Sequence, residues 1–238
     1  MRFVTVADTH LAELELPEGD VLLHAGDLTF RGSAPEVVSA ARWLQSQKQK
    51  RKYQHVIVTA GNHDFLFQTE PGLARELLRE NGILYLEDSG LTIEGSSILP
   101  GELAPGPGRI TVYGSPWQPW FNNWAFNLRT IESLKEKWDM IPAGVDILMT
   151  HGPPHGILDG VTRFNEDLYP SDESLFTKNL GCEALLEALR RVKPRFHVFG
   201  HIHEGYGIVE KNGTTFINAS IMDGQYEPAR KARVFDIC

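Results

Sequence analysis

The chain has 238 residues, of which 42% are hydrophobic, and its formal net charge is −8 at pH 7. This length and apolar content suit one globular core, so we expect residues 1–238 to form a single domain. The acidic balance, without any stripe of basic and aromatic residues in the sequence, argues against extended binding of nucleic acid.

The first residues and the cysteines predict the compartment. The chain begins MRFVTVADTH, in which a predicted strand starts at once and leaves no room for the regions of a signal peptide. The cysteines, Cys182 and Cys238, give no disulfide framework and are typical of a reducing compartment. We therefore expect a cytoplasmic protein without a membrane partner.

Five short apolar runs along the chain each end in a polar cluster. The runs, rich in β-branched residues, are RFVTV, VLLHAG, HVIVTAG, DILMT and RFHVFG. They predict parallel strands that are covered on both faces. The polar residues that follow them are Asp8 and His10, then Asp27, then Asn62 and His63, then His151, then His201 and His203. Because ligands bind outside the carboxyl ends of strands in open α/β sheets, we expect the five clusters to meet at one sheet edge.

Helices and further strands are predicted between these runs. Ser33 is the expected cap of a helix through APEVVSAARWLQSQ, and the basic residues 48–52 are interpreted as its solvated end. Later helices are predicted in PGLARELLRE, TIESLKEKW and GCEALLEALRRV. The segments ILYLE, LTIEGSSIL and ITVYGSP are interpreted as a meander. A hairpin that turns at Asn212-Gly213 is predicted in GYGIVEKNGTTFINAS, followed by a strand in KARVFDI.

The residue types in the clusters indicate a metal centre. Aspartate, asparagine and imidazole donors without a nearby cysteine suit manganese, iron, zinc or magnesium, and they disfavour a Cys-rich structural zinc site. Among these metals we expect manganese. Metals held about 3.5–4 Å apart clamp both oxygens of an in-line displacement at phosphorus. An aspartate can bridge two such ions, and Asp27 is the expected bridge.

Isolated histidines need a separate interpretation, because most are packed in cores or exposed. A single D-x-H or G-H-x-H pattern also arises by chance, whereas five clusters in order, each after a strand, do not. We therefore interpret His24 as a core histidine and treat His197 with the same caution. His55 is interpreted as the start of a strand. His155, in THGPPH, is a candidate for contact with substrate.

The clusters ADTH, HAGD, GNHD, THGPP and GHIH resemble the five motifs of the calcineurin-like metallophosphoesterases. Longer stretches, among them HAGDLTFRG, GSPWQPWFNNWAFN and RVKPRFHVFGHIHEGYG, are similar to a narrower branch of small metallophosphoesterase-domain-containing proteins. The resemblance covers nearly the whole chain. It implies an α/β fold of mixed sheets, the four-layer αββα sandwich, with two divalent metal ions at the carboxyl ends of strands.

The same resemblance implies a role for each cluster residue. One ion would be held by Asp8, His10, Asp27 and His203, and the other by Asp27, Asn62, His151 and His201. His63 would act on the scissile phosphate as a general acid or as a transition-state stabiliser, and Asp64 would orient it and support its charge.

Residues 99–127 form the predicted specificity loop. They contain the Pro/Gly-rich segment PGELAPGPGR and then SPWQPWFNNWAF. The candidate rings are Trp117, Trp120, Phe121 and Trp124. Under one hypothesis they form an aromatic wall over the metals that stacks a nucleobase or another flat group. Under the other they form a satellite core that pins a long loop.

Together these features predict a phosphoesterase in which a metal-bound hydroxide attacks phosphorus in line and His63 assists the leaving oxygen. The branch is associated with cyclic nucleotide hydrolysis, so the resemblance implies a phosphodiesterase acting on cyclic nucleotides or related small phosphodiesters. The same ligands would also serve a phosphomonoesterase acting on small phosphates or on phosphoproteins. A non-catalytic interaction module is a further alternative, which would usually have lost ligands that this chain retains.

Overall fold

A computed structural model describes residues 1–164 and 175–238. The strands in these residues are β1 (Arg2–Val6), β2 (Val21–Ala25), β3 (His55–Thr59), β4 (Leu84–Tyr85), β5 (Ser89–Glu94), β6 (Ser97–Pro100), β7 (Arg109–Ser115), β8 (Gln118–Pro119), β9 (Asn127–Leu128), β10 (Ile147–Thr150), β11 (Gly160–Phe164), β12 (Leu175–Asn179), β13 (Phe196–Phe199), β14 (Gly207–Lys211), β15 (Thr214–Asn218) and β16 (Arg233–Asp236). The α-helices are α1 (Ala34–Arg51), α2 (Phe65–Thr69), α3 (Pro71–Glu80), α4 (Ile131–Asp139) and α5 (Glu183–Val192).

Two mixed sheets form the centre of the fold. The first has the strand order β16-β1-β2-β3-β4, and the second has the order β14-β15-β13-β10-β7-β5-β6. In the first sheet β1 to β4 run parallel and β16 is antiparallel. In the second sheet β15, β13, β10 and β7 are parallel, β14 is antiparallel to β15, β5 is antiparallel to β7, and β6 is antiparallel to β5. Small two-stranded pairs, β8-β9 and β11-β12, lie outside these sheets.

Three hydrophobic clusters separate four layers. Because side chains alternate between the faces of a strand, β1 sends Phe3 to one side and Val4 to the other. The cluster between the sheets includes Phe3, Leu23, Ile57, Val112, Met149 and Val198. The other face of the first sheet packs on helices through Val4, Leu22, Val37, Leu44 and Leu78. The other face of the second sheet packs on helices through Leu148, Phe199, Leu134, Trp138 and Leu185. This is the expected αββα sandwich.

Several predicted elements are confirmed. The α1 helix begins after Ser33, whose amide and hydroxyl both donate to the Glu36 carboxylate, at 2.9 and 3.0 Å. The helix ends at Arg51, so the basic residues form its last turn, and α3, α4 and α5 follow the predicted segments. Asn212 and Gly213, with φ of 54° and 81°, form the tight turn between β14 and β15.

Other predictions are wrong. The five runs do not share one sheet, since β1, β2 and β3 lie in the first sheet and β10 and β13 lie in the second. The ILYLE segment does not form a meander with its successors, because β4 pairs in parallel with β3. The LTIEGSSIL segment is a hairpin of β5 and β6 and not one strand. The short α2 helix was not predicted.

The two sheets meet at their carboxyl ends, which brings the polar clusters together. Ala7, directly after β1, donates from its amide to Ala219 and accepts at its carbonyl from Ile221, both at 2.9 Å. The amide of Asp8 donates to Gly26, and that of Gly200 donates to His151, also at 2.9 Å. Within the described residues, no helix combines the length and the apolar character that crossing a membrane requires.

Candidate metal centre and substrate cavity

The structure brings the seven predicted metal ligands together. Ligand atoms of Asp8, His10 and His203 lie within 4.8 Å of one another, and so do those of Asp27, His151 and His201. The Oδ1 atom of Asn62 lies 2.9 Å from Nε2 of His151 and so joins the second group. These two groups correspond to the two ligand sets that the resemblance implies, and a third group of His10, Asp27 and His63 lies between them.

Asp27 lies between the two groups. Its Oδ2 atom is 3.4 Å from Nε2 of His151 and 3.7 Å from Nε2 of His10. The second of these distances is too long for a hydrogen bond, and the first is at its limit. Ligand bonds of roughly 2.0–2.2 Å would, however, place two ligand atoms of one ion at about such a separation. One carboxylate oxygen thus faces an imidazole from each group, as a bridging ligand requires.

Main-chain carbonyls orient three of the imidazoles. Nδ1 of His10 lies 2.9 Å from the oxygen of Thr29, Nδ1 of His151 lies 3.0 Å from that of Ala25, and Nδ1 of His203 lies 2.8 Å from that of Asp223. A carbonyl oxygen only accepts, so each Nδ1 donates and each Nε2 is the ring nitrogen that faces the other candidate ligands. Metal-binding histidines are usually held in this way.

One buried nitrogen supports the same conclusion. Among the described residues, Nε2 of His10 is buried and has no hydrogen-bond partner. An unpaired buried polar atom costs free energy that a bound cation would remove. The donor set of carboxylates, one amide oxygen and imidazoles also suits hard or borderline divalent ions. The residues present therefore fit a pair of divalent metal ions.

Burial and neighbouring charges put Asp27 and His201 in their metal-binding forms, whereas His151 holds a proton that a bound metal ion would displace. Burial would raise the pKa of Asp27, but the imidazole of His151 and its neighbours hold the pKa well below its usual range. Burial lowers the pKa of His201 to about 3, which keeps this imidazole neutral. Burial would also lower the pKa of His151, but the carboxylate of Asp27 outweighs it and raises the pKa to about 9. The carboxylates around His151 therefore stabilise a positive charge at this position, as they would stabilise a bound cation.

Several candidate ligands adopt a left-handed backbone conformation. The φ angles are 53° for Asp8, 56° for Asp27 and 66° for His201. Such angles are uncommon for residues other than glycine, and they cluster at functional sites. The backbone of Gly200 lies close to the carboxylate of Asp8, and a Cβ at this position would overlap that carboxylate. A Cβ on Gly61 would likewise overlap the carboxylate of Asp27. The glycines of the GNHD and GHIH motifs are thus needed for close approach.

His63 lies beside the ligands and is fixed by Phe30. Its amide donates to Oδ1 of Asp27 at 2.8 Å, and its Nδ1 donates to the carbonyl oxygen of Phe30 at 2.7 Å. Its ring centroid lies 4.1 Å from that of Trp124 and 4.7 Å from that of His10. His63 is thereby held next to both the candidate metal site and the cavity above it.

Within the described residues, the carboxylate of Asp64 makes no hydrogen bond to His63, the residue that it was predicted to orient. Oδ2 of Asp64 accepts from the amides of Leu28 and Gly61, at 3.2 and 2.8 Å. Oδ1 accepts from the amide and hydroxyl of Thr29, at 3.0 and 2.7 Å. Burial, with the charge of Asp27, raises the pKa of Asp64 to about 6. Asp64 therefore ties the HAGD and GNHD loops together, and the carbonyl of Phe30 orients the imidazole.

A cavity of about 400 Å³ opens over the candidate ligands. Its floor includes Asp27, Asn62, His63, His201 and His203, and its aromatic wall consists of Trp120, Phe121, Trp124 and Tyr226. The side chains of Trp120 and Phe121 are 47% and 45% exposed. Phe121 lies edge-on to His201 with ring centroids 5.8 Å apart. Three rings of the predicted specificity loop thus line a wall beside the candidate metal site.

Two predicted substrate contacts lie elsewhere. Trp117 packs edge-on to Phe126 at 5.4 Å and donates from Nε1 to Asp88 at 2.8 Å. His155 is outside the described lining of the cavity, and its Nδ1 lies 3.9 Å from Asp159. The rings of the loop therefore differ in placement, since Trp117 packs within the loop and Trp120, Phe121 and Trp124 line the cavity.

Sequence reasoning missed Phe30, Asp223 and Tyr226. Phe30 lies in HAGDLTFRG, a stretch similar to the family, but a main-chain carbonyl leaves no residue-type signal. Asp223 and Tyr226 lie in DGQYEP, where neither hydrophobic periodicity nor ligand spacing marks them.

Comparison with known proteins agrees with this geometry. The family model of the calcineurin-like phosphoesterases matches residues 1–205. The chain is 40% identical over 261 residues to metallophosphoesterase domain-containing protein 1 of Homo sapiens, covering 99% of this chain and 71% of the relative. It is 35% identical over 269 residues to a UPF0046 protein of Caenorhabditis elegans, covering 100% of this chain and 60% of the relative. The chain therefore belongs to the calcineurin-like phosphoesterase family.

Proposed function

We propose that this phosphoesterase is a phosphodiesterase that hydrolyses cyclic nucleotides or related small phosphodiesters. Membership of the family makes the chain a phosphoric ester hydrolase with a dimetal centre. The finer proposal concerns the substrate, and its support comes from the cavity. We further propose manganese as the metal and residues 1–238 as one domain, while a cytoplasmic location stays a prediction.

The charge of the cavity lining is the observation that carries the proposal. Among the described residues that line the cavity there is no lysine or arginine, and Glu204 adds a negative charge. A phosphomonoester is largely a dianion near neutral pH, because its second pKa is about 6. A phosphodiester carries a single charge and needs less compensation. Among the described lining residues, the only cationic groups would be metals and histidines, which favours the diester over the monoester.

The size and the wall of the cavity favour a small substrate with a flat group. Ligand pockets of about 300–1,000 Å³ are typical of small molecules, and this cavity is about 400 Å³. Trp120 and Phe121 present exposed rings beside the candidate ligands. Such rings stack bases, since every base has an apolar face. A cyclic nucleotide would place its phosphate at the metals and its base against this wall.

The proposed chemistry uses residues from both sheets. When bound, the two metal ions would lower the pKa of a water and neutralise charge on the phosphoryl oxygens. Asp27 would bridge the ions, and Asn62 would contribute its side-chain oxygen. His63 donates from Nδ1 to Phe30, so its Nε2 is the atom that can carry a proton to the leaving oxygen. Protonation matters most for a ribose oxygen, because the free alkoxide is very basic.

A comparison of substrates tests this function. The manganese-loaded protein is assayed against bis-p-nitrophenyl phosphate, p-nitrophenyl phosphate and a panel of cyclic nucleotides. We expect kcat/KM to be higher for the diester than for the monoester, and at least one cyclic nucleotide to be hydrolysed. A clear preference for the monoester would replace the proposal by a phosphomonoesterase.

A further inference from the structure

The loop of residues 223–227, between β15 and β16, is closed by hydrogen bonds of Asp223. Its Oδ1 atom accepts from the amides of Gln225 and Glu227, at 2.8 and 3.1 Å. Its amide donates to the carbonyl of Glu227 at 2.9 Å, and its carbonyl accepts from the amide of Tyr226 at 3.1 Å. The carbonyl of Asp223 also accepts from Nδ1 of His203 at 2.8 Å. One residue thus fixes both a candidate metal ligand and Tyr226.

Tyr226 is held in a strained conformation. Its φ angle of 61° lies in the left-handed region, which a bulky side chain rarely adopts. Such residues persist only where the surrounding structure holds them, and they cluster at ligand-binding sites. The side chain is 47% exposed, so the strain does not serve to bury the ring in a core.

The ring of Tyr226 is placed over the candidate metal site. Its centroid lies 5.2 Å from that of His10, 4.9 Å from that of His203 and 6.3 Å from that of His63. It also lines the cavity. The strained loop therefore puts a phenol between the candidate acid and two candidate ligands of one ion, on the side from which a substrate enters.

The hydroxyl of Tyr226 is free to bind a ligand. Within the part of the chain that the structure describes, it makes no hydrogen bond to protein. Tyr206, three residues after His203, differs in this respect, because its hydroxyl donates to the carbonyl of Lys231 at 2.8 Å. Nε2 of Gln118, another donor in the cavity, already donates to Asn127 at 3.1 Å, while Oε1 of Gln118 has no partner among the described residues but can only accept.

We propose that Tyr226 is a substrate-binding residue whose hydroxyl donates a hydrogen bond to a phosphoryl oxygen of the bound phosphate ester. This inference rests on the proposed function, because it assumes that a phosphate group lies at the candidate metal site. A phosphoryl group carries more oxygen lone pairs than the metals occupy, and the described lining offers no lysine or arginine for them. A neutral phenol supplies a donor there without adding charge.

The test compares Tyr226→Phe, which keeps the ring, with the control Tyr206→Phe, which removes a hydroxyl outside the cavity. Each manganese-loaded protein is measured for metal content, for binding of inorganic phosphate by calorimetry, and for kcat/KM with bis-p-nitrophenyl phosphate. Hydrogen bonds to charged groups correspond to about 10- to 150-fold in binding. We expect Tyr226→Phe to lose phosphate affinity and kcat/KM by a factor in that range with unchanged metal content, and Tyr206→Phe to match the wild type.

Two outcomes would overturn the inference. Phosphate affinity and kcat/KM within about twofold of the wild type in Tyr226→Phe would show that the hydroxyl contacts no phosphate. Loss of metal from Tyr226→Phe would show that the hydroxyl supports the ligands and not the substrate. If the wild type hydrolyses no phosphodiester, the proposed function fails separately, and phosphate binding still decides the role of Tyr226.

Discussion

His63 donates a hydrogen bond of 2.7 Å from Nδ1 to the main-chain carbonyl of Phe30. Because the carbonyl can only accept, this bond fixes the tautomer of the neutral ring and leaves Nε2 for proton transfer. The ring of Phe30 also stacks on that of His10 at 5.0 Å. Phe30 thereby connects the candidate acid to a candidate metal ligand, and its carbonyl orients the imidazole, the role that the resemblance had implied for Asp64.

Replacement of His63 by alanine should show whether His63 acts as a general acid or as a metal ligand. We expect His63→Ala to keep its metals and to lose about 100- to 10,000-fold in turnover of alkyl or ribose esters, which need a protonated leaving oxygen. The loss should shrink for nitrophenyl esters. Metal analysis and rates across leaving groups check this, with His155→Ala as a histidine control outside the described cavity lining. Equal losses for all leaving groups would instead indicate stabilisation of phosphoryl charge.

Asp27→Asn tests the bridge, because it keeps the shape of the side chain and removes its charge. Substitution of residues that merely support metal ligands costs roughly 10- to 100-fold in metal affinity or activity, so loss of a bridge should cost more. We expect less bound metal and more than about 100-fold lower activity, with little change of fold. Asp146→Asn is the control. Asp146 does not line the cavity, and its carboxylate accepts hydrogen bonds of 2.9 Å from the amide and the hydroxyl of Thr111. Native rate and native metal content in Asp27→Asn would refute the bridging role.

Trp120→Ala and Phe121→Ala test the aromatic wall. Stacking of a base on an aromatic ring contributes about 1–3 kcal/mol, so removal of a stacking ring should lower kcat/KM for a cyclic nucleotide roughly 5- to 150-fold. Activity on bis-p-nitrophenyl phosphate should fall much less. Trp117→Phe should lower stability by losing the bond to Asp88 but should leave the ratio of the two activities unchanged. If that ratio is constant in every folded variant, the wall does not select nucleotides.

Two buried histidines outside the ligand set should make stability depend on pH. Burial lowers the pKa of both His24 and His197 to about 3, from an ordinary value of 6.5. The unfolded chain therefore binds more protons between these values, so the free energy of unfolding is fully retained above pH 6.5 and falls as the pH drops toward 3. Each histidine contributes a slope of at most about 1.4 kcal/mol per pH unit.

Denaturant unfolding of His197→Phe between about pH 7 and about pH 5 checks how the free energy of unfolding depends on this histidine. This range spans the ordinary histidine pKa of about 6.5. The variant should lose part of the pH dependence of the wild type, whatever the change in its stability at neutral pH. Parallel pH profiles for the two proteins would mean that His197 is not held neutral by burial.

Local sequence pattern was sufficient for most elements but not for their partners. The apolar runs predict β1, β2, β3, β10 and β13, because a buried strand needs a short run of β-branched residues. Nothing in such a run states which strand it pairs with, so the sequence predicted two mixed sheets but not which of them each run would join. The α2 helix, FLFQT, is too short for a helical period to be visible.

The candidate site was predictable where residue type carries the chemistry. Two aspartates, four histidines and one asparagine at motif spacing led to all seven candidate ligands. Contacts made by the main chain, such as the carbonyl of Phe30, leave no such trace. The difference between Trp117 and Trp120 likewise depends on distant partners, since Asp88 and Lys137 hold the first ring and the cavity exposes the second.

Metal reconstitution is the most direct test of the central claim, which is that this phosphoesterase works through a site of two metal ions. Metal-stripped protein is titrated with manganese while bound metal and hydrolysis of bis-p-nitrophenyl phosphate are measured, with iron, zinc and magnesium in parallel. We expect the stripped protein to be inactive and its activity to reach a plateau at about two bound ions per chain. Full hydrolysis by the stripped protein, or a plateau after a single ion, would contradict it.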